Sequence, residues 1–128
     1  MSKTKRQRYS VSQEALDAAE ADKLAAKGQY DKAIFYYELA LASTLDYFGK
    51  DHREVASIRS NLGLVWYAKG QYDKAIDYYE LALASSLLNV KQNHSFIATI
   101  HSNIGLVLQA KGEYDKAIHN FELALEDG

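Results

Sequence analysis

The segment KGQYDKAI at Lys27–Ile34 recurs unchanged at Lys69–Ile76 and, as KGEYDKAI, at Lys111–Ile118. Successive copies begin at residues 27, 69 and 111, which is a period of 42 residues. A unit that returns at a fixed period of this size is typical of a repeat array, whose neighbouring units stack to bury a common core. The octapeptide therefore predicts three stacked units in a chain of 128 residues.

Apolar residues recur at helical spacing on both sides of the octapeptide. Ile58, Leu62 and Val65 precede the second copy, and Ile76, its last residue, and Tyr79 continue the pattern. A spacing of three or four residues places these side chains on one face of a helix. Each unit is therefore predicted to be a pair of helices. The predicted fold is all-α, a superhelical array of helical hairpins with three repeats and about six helices.

The octapeptide also predicts where helices end and begin. Its glycine is the expected stop of each first helix, because glycine adopts the left-handed conformation of a helix C-terminus without a Cβ clash. Its aspartate is expected to cap the second helix or to complement the charge of its first turn. The glycines are Gly28, Gly70 and Gly112, and the aspartates are Asp31, Asp73 and Asp115.

Further boundaries follow from capping patterns. Asp51-His52-Arg53-Glu54 resembles a capping box. It comes just after Gly49, where the preceding helix is predicted to end. Asn93 holds the matching place one repeat later, and Ser10 with Gln13 offers the first cap. We therefore predict one domain over residues 10–128, with repeats at about 10–49, 50–91 and 92–128.

Charge separates the N-terminus from the rest of the chain. Of the fifteen basic residues, four lie within positions 1–9, namely Lys3, Lys5, Arg6 and Arg8. We predict that residues 1–9 are a basic, disordered tail. The other eleven basic residues stand against seventeen acidic ones, so the repeats are acidic. An acidic body repels phosphate backbones, and nucleic acid is not an expected partner.

Other compositional features exclude several classes of protein. The absence of cysteine excludes disulfides, thiolate metal sites and a cysteine nucleophile. The sequence has no signal-like N-terminus and no apolar run of about 18 residues, so we expect a cytoplasmic protein that makes no membrane contact. No phosphate loop, dinucleotide-binding pattern or nucleophile elbow occurs, and the spacing of His94, His101 and His119 does not suit a metal. We expect no enzyme activity, no catalytic residue, no metal and no cofactor.

The stretch from Asn61-Leu62-Gly63 through Trp66, Gly70 and Tyr72 to Leu83 resembles the tetratricopeptide repeat, and residues 103–125 resemble it again. In the later copy Leu108 replaces Trp66, and Phe121 replaces Tyr79. The 42-residue period, longer than usual for this repeat, and the segment 49–56 are similar to repeats of the kinesin light chain group, which bind cargo peptides in a concave groove.

The resemblance implies a protein-interaction module that binds an extended peptide or partner segment in its groove. Asparagine amides can donate and accept hydrogen bonds with a peptide backbone, and leucine and tyrosine offer apolar contact. Family members that clamp a C-terminal carboxylate use basic residues beside the asparagines, and those positions are uncharged here. An open alternative is that the asparagines satisfy local backbone groups. The implied groove residues are Ser57, Ser60, Asn61, Leu64 and Tyr67, with Thr99, Ser102, Asn103, Leu106 and Gln109 one repeat later.

The two ends of the array predict an alternative role in assembly. Repeat one has Glu20 and Lys23 where later repeats are apolar, as a solvent-facing end requires. The last helix instead keeps Ile118, Phe121 and Leu125, an apolar stripe expected to self-associate as a homodimer. A fragment of a longer array would show the same stripe, and near-identical repeats are also typical of a designed consensus protein.

Overall fold

A computed structural model describes residues 16–89 and 93–127. It confirms the all-helical prediction, since no strand occurs in those two ranges. The predicted tail and the Ser10–Gln13 cap lie outside the described residues. A short 3-10 turn at Leu87–Asn89 follows the fourth helix. The helices are α1 (residues 16–26), α2 (Tyr30–Phe48), α3 (Arg53–Ala68), α4 (Tyr72–Ser86), α5 (His94–Ala110) and α6 (Tyr114–Asp127).

The helices pack as consecutive hairpins. Extensive packing joins α3 to α4 and α5 to α6, and the contacts of α2 with α3 and of α4 with α5 join successive repeats. One buried cluster contains Leu24, Tyr37 and Leu62 of the first two repeats, and another contains Tyr79 and Ile100 of the last two. The array therefore has the stacked core that its period predicted.

The predicted glycine stops are confirmed. Gly28, Gly70 and Gly112 have φ angles of +78°, +82° and +83°. At the second stop the backbone N–H of Gln71 donates to the carbonyl of Trp66 at 2.9 Å, and that of Gly70 donates to Tyr67 at 2.9 Å. These two bonds close the helix end as a Schellman motif, which needs a residue that tolerates positive φ.

Asp31 and Asp73 do not cap the helices α2 and α4. Gln29 and Gln71 hold the N-cap positions of α2 and α4 without a side-chain cap hydrogen bond. Asp31 lies within the first turn of α2, where its negative charge interacts favourably with the helix dipole. It also forms an ion pair with Lys69 of the next repeat. The equivalent ion pair joins Lys111 to Asp73 one repeat later. The lysine and aspartate of the octapeptide thus connect neighbouring units.

The predicted capping box at the start of α3 is wrong by one residue. His52 is the N-cap, and its Nδ1 accepts a hydrogen bond from the backbone N–H of Glu54 at 3.0 Å. The ring of Phe48 stacks on the His52 imidazole with centroids 4.0 Å apart, which holds the ring in place. Asn93 is the N-cap of α5, but its Nδ2 donates to the Ser86 carbonyl at 3.0 Å rather than capping the helix.

Candidate functional site

The ten predicted groove residues lie on two helices, five on α3 and five on α5, in equivalent positions one repeat apart. We call the surface that they form the asparagine face. It has an exposed apolar component, because Leu64 is 55% exposed and Leu106 is 45% exposed. None of the ten side chains carries a charge. The surface therefore suits a ligand held by apolar contact and neutral hydrogen bonds.

Asn61 and Asn103 are half-buried, and among the described residues neither amide has a hydrogen-bond partner. Two other asparagines are engaged locally: Asn93 donates to the Ser86 carbonyl and Asn120 to the Lys116 carbonyl, both at 3.0 Å. Asn93 and Asn120 thus satisfy local backbone carbonyls, which was the alternative role considered for Asn61 and Asn103.

The other members of the asparagine face differ in their contacts and in their exposure to solvent. Thr99 donates its hydroxyl to the Ser95 carbonyl at 3.0 Å, so this group is engaged within α5. Tyr67 of α3 contacts the ring of Tyr72, which begins α4, with centroids 5.8 Å apart. Ser57, Ser60 and Ser102 are half-buried, and Gln109 is exposed.

The equivalent surface of repeat one differs. Asp22 stands where later repeats have the exposed leucines, and its carboxylate accepts a hydrogen bond from the Tyr37 hydroxyl. Burial of the ring, together with this carboxylate, raises the pKa of Tyr37 above its usual value. An exposed leucine therefore occupies this position only in repeats two and three.

The three residues predicted for self-association differ in their exposure to solvent. Ile118 is 55% exposed and Leu125 is 81% exposed, whereas Phe121 is half-buried with its ring against Gly105. A shallow depression beside them is lined by Ala98, Thr99, Ser102, Phe121, Ala124 and Leu125. In repeat two the equivalent residues Ala56, Tyr79 and Ala82 are buried under α5.

A cleft of about 710 Å³ lies between α4 and α6 and was not predicted from the sequence; we call it the α4–α6 cleft. Ile104 and Leu108 of α5 contribute to its floor. Because each helical residue turns by about 100°, Leu106 of the asparagine face points away from both of them. The cleft and the asparagine face are therefore separate surfaces. The signal in the sequence was the exchange of Trp66 for the smaller Leu108.

Ion pairs line one rim of the α4–α6 cleft. Glu113 accepts hydrogen bonds from Lys111 and Lys116, each with an N···O distance of 3.1 Å. Hydrogen bonds from these two lysines lower the pKa of Glu113. The hydrogen bond to Asp73, followed by that to Glu113, raises the pKa of Lys111. The lysines are exposed and Glu113 is half-buried, so the pairs orient the lysines more than they stabilise the fold.

Across residues 16–89 and 93–127, no three histidine, aspartate or glutamate side chains come together as metal ligands. The histidines lie apart: His94 begins α5, His101 lies 3.4 Å from the Asn120 side-chain oxygen, and His119 lines the α4–α6 cleft. None of the described helices combines the length and apolar character needed to span a bilayer.

The fold is similar to two solved structures. Against BtubC (BKLC) from P. vanneervenii the TM-score is 0.83 at 24% sequence identity, covering 89% of this chain and 46% of that one. The chain thus spans about half the length of BtubC. Against the N-terminal domain of stress-induced protein-1 (STI-1) from C. elegans the TM-score is 0.74 at 14% identity, covering 92% of this chain and 86% of that one. At these identities the two matches support the stacked helical-hairpin fold.

Sequence comparison gives the family. No curated protein sequence matches the chain significantly. A tetratricopeptide repeat model matches residues 14–86, and a second model of the same repeat matches residues 98–126. The first of these models alone covers more than half of the 128 residues. With the glycine stops and stacked hairpins described above, these matches show that the chain belongs to the tetratricopeptide repeat family.

Proposed function

We propose that this protein binds an extended peptide segment of a protein partner along its asparagine face. Tetratricopeptide repeats in general mediate interactions between proteins. The observation that carries the proposal is the matched pair of Asn61 and Asn103, whose half-buried amides have no hydrogen-bond partner among the described residues. A peptide backbone supplies the donor and acceptor that each amide lacks.

The neighbouring side chains set the chemistry of the proposed ligand. Leu64 and Leu106 offer exposed apolar surface one repeat apart, suited to apolar side chains of the bound segment. Because the face is uncharged, binding depends on these contacts and on backbone hydrogen bonds. Its affinity should therefore respond weakly to salt, unlike that of a charged carboxylate clamp.

The proposed role is that of a scaffold without an enzymatic reaction or a cofactor. Repeats of this family are typically non-enzymatic. The proposed partner is a protein and not nucleic acid, because the acidic repeats repel phosphate. We place the interaction in the cytoplasm, where a protein without cysteine needs no oxidising environment.

The double substitution Asn61→Ala/Asn103→Ala tests the proposal. We expect the affinity for the bound segment to fall by about 10- to 100-fold, since each amide contributes about 1 kcal/mol through its hydrogen bonds. The melting temperature should change little, because neither amide bonds to the rest of the described chain. Affinity purification identifies the partner, and calorimetry with its purified segment measures the affinity.

Asn93→Ala is the matched control, since it removes an asparagine amide engaged within the protein. It should lower the melting temperature and leave the affinity unchanged. A partner retained with equal affinity by the double variant would show that the asparagine face is not the binding surface.

A second candidate role, self-association through α6, is favoured by the exposure of Ile118 and Leu125. Leu125 lines the shallow depression whose counterpart in repeat two is buried under α5. A two-fold contact between two copies would cover this surface in both.

Self-association predicts a mass that rises with concentration in sedimentation equilibrium, and Leu125→Glu should shift the equilibrium to monomer. This residue is a better test than Phe121, because a charge at Phe121 would also disturb its packing on Gly105. Glu122→Ala, on the same helix, is the control. A chain that stays monomeric at high micromolar concentration would exclude this role.

A further inference from the structure

The α4–α6 cleft has a counterpart between α2 and α4, one repeat earlier. The 42-residue period makes Trp66 the equivalent of Leu108, and Tyr78 the equivalent of Asn120. Trp66 packs against both buried clusters, and Tyr78 packs against the first of them. The chain therefore fills the earlier position with its own aromatic side chains.

The environment of Trp66 shows what such a position accepts. The Nζ atoms of Lys74 and Lys69 lie 4.3 Å and 5.1 Å from its ring centroid, within the range of a cation–π interaction. Lys69 also pairs with Asp31, so one lysine contacts the ring and the carboxylate together. An indole here combines an apolar contact with two cations at its face.

The later position keeps this framework but lacks the ring. Lys111 and Lys116 are the equivalents of Lys69 and Lys74, and Asp73 pairs with Lys111 as Asp31 pairs with Lys69. Leucine and asparagine are smaller than tryptophan and tyrosine, and a cleft of about 710 Å³ remains in their place. This volume lies within the range of about 300–1,000 Å³ seen for ligand sites.

We propose that the α4–α6 cleft is a second docking site, which binds a tryptophan side chain of a partner segment that carries lysine or arginine beside it. The indole would take the place that Trp66 holds one repeat earlier, over Ile104 and Leu108, with Lys111 and Lys116 at its face. Since Lys69 contacts a ring and a carboxylate together, the ion pair of Lys111 with Asp73 need not break.

The charge of the cleft selects the residues beside the tryptophan. Five carboxylates and two lysines line it, so its rim is acidic. Asp77 holds the place of Phe35 in the earlier repeat pair, which adds a carboxylate where that pair has a ring. A basic segment complements this rim, whereas an acidic one is repelled. The carboxylates are Asp73, Asp77, Glu80, Glu113 and Asp115.

The test is a nuclear magnetic resonance titration of the ¹⁵N-labelled chain with the blocked tripeptide Lys-Trp-Lys. We expect saturable shifts of the backbone amides of Ile76, Glu80 and His119, with a dissociation constant of about 1 mM. Lys-Leu-Lys and Glu-Trp-Glu should each bind at least about tenfold more weakly, because one lacks the ring and the other is repelled by the rim.

Two variants fill the cleft with a ring of the chain itself. Leu108→Trp supplies an indole from the floor, as Trp66 does one repeat earlier, and His119→Trp supplies one from an exposed residue that lines the cleft. Each is expected to abolish the shifts while circular dichroism shows a folded helical chain. The second variant changes only an exposed residue, so it decides the question if Leu108→Trp fails to fold.

The asparagine face is tested separately, because Asn61→Ala/Asn103→Ala should leave the tripeptide titration unchanged. The proposal is overturned if the wild-type chain shows no saturable shift at about ten times the expected dissociation constant. Shifts centred on Asn61 and Asn103, or shifts that persist in a folded variant with a filled cleft, also overturn it. Equal or tighter binding of Glu-Trp-Glu overturns the basic character proposed for the partner.

Discussion

Tyr79→Ala is expected to lower the free energy of unfolding by about 3–5 kcal/mol, the range for truncation of a large buried aromatic side chain. Tyr79 is 1% exposed, and its ring lies on Gly63 within the hairpin of repeat two. It also belongs to the cluster that contains Ile100 and Ile104 of repeat three. Loss of the ring therefore weakens one hairpin and the contact between two repeats.

Urea unfolding followed by circular dichroism measures this loss. Tyr79→Phe is the matched control, since Phe121 occupies the equivalent position of repeat three. We expect the control to cost less than about 1 kcal/mol, because it keeps the ring and its volume. Equal losses for the two variants would show that the hydroxyl, and not the packing of the ring, stabilises repeat two.

Gly63→Leu is expected to lower the free energy of unfolding by about 3 kcal/mol, at the upper end of the range for overpacked cores. A Cβ atom built at Gly63 would lie 2.8 Å from Cε1 of Tyr79, closer than carbon atoms approach one another. Leucine adds three more carbons beyond that point. The helices α3 and α4 must therefore separate, which loosens the hairpin.

Gly63→Ala is the milder comparison. In repeat one Ala21 holds the equivalent position and is fully buried in the same cluster as Tyr37, so a small separation of the helices accommodates one methyl group. Alanine also favours the helix over glycine by about 1 kcal/mol, which offsets part of the strain. We expect a melting temperature close to that of the wild type.

Combining Gly63→Leu with Tyr79→Ala tests whether the two residues act through their contact. The leucine would occupy part of the space that the ring leaves, so the double variant should lose at least about 1 kcal/mol less than the two single losses together. Additive losses would show that the two substitutions act independently.

The glycine stops were predictable because they depend on local backbone geometry. A Schellman motif requires positive φ at one position, and glycine meets that requirement irrespective of its tertiary surroundings. Gly70 could therefore be assigned from the sequence, as could the helix that precedes it. The cap of α3 was not predictable in the same way, because the His52 imidazole is an unusual cap acceptor and is held by Phe48.

The asparagine face was predictable only in part. The resemblance to the repeat family gave the helices and the residues, and the structure places all ten on α3 and α5. The repeat pattern does not say whether an asparagine amide is engaged by a neighbouring group. The bond of Asn93 to the Ser86 carbonyl, and the lack of such a bond at Asn61 among the described residues, depend on the arrangement of surrounding carbonyls.

The sequence by itself determined the period, the hairpins and their stops, because these follow from residue spacing and from the conformational freedom of glycine. Only the tertiary structure decided that Lys69 pairs with Asp31 and that the α4–α6 cleft stays open beside Leu108. Both depend on distances between side chains in different repeats. Those distances are set by how closely the helices stack, which the identity of each residue alone does not specify.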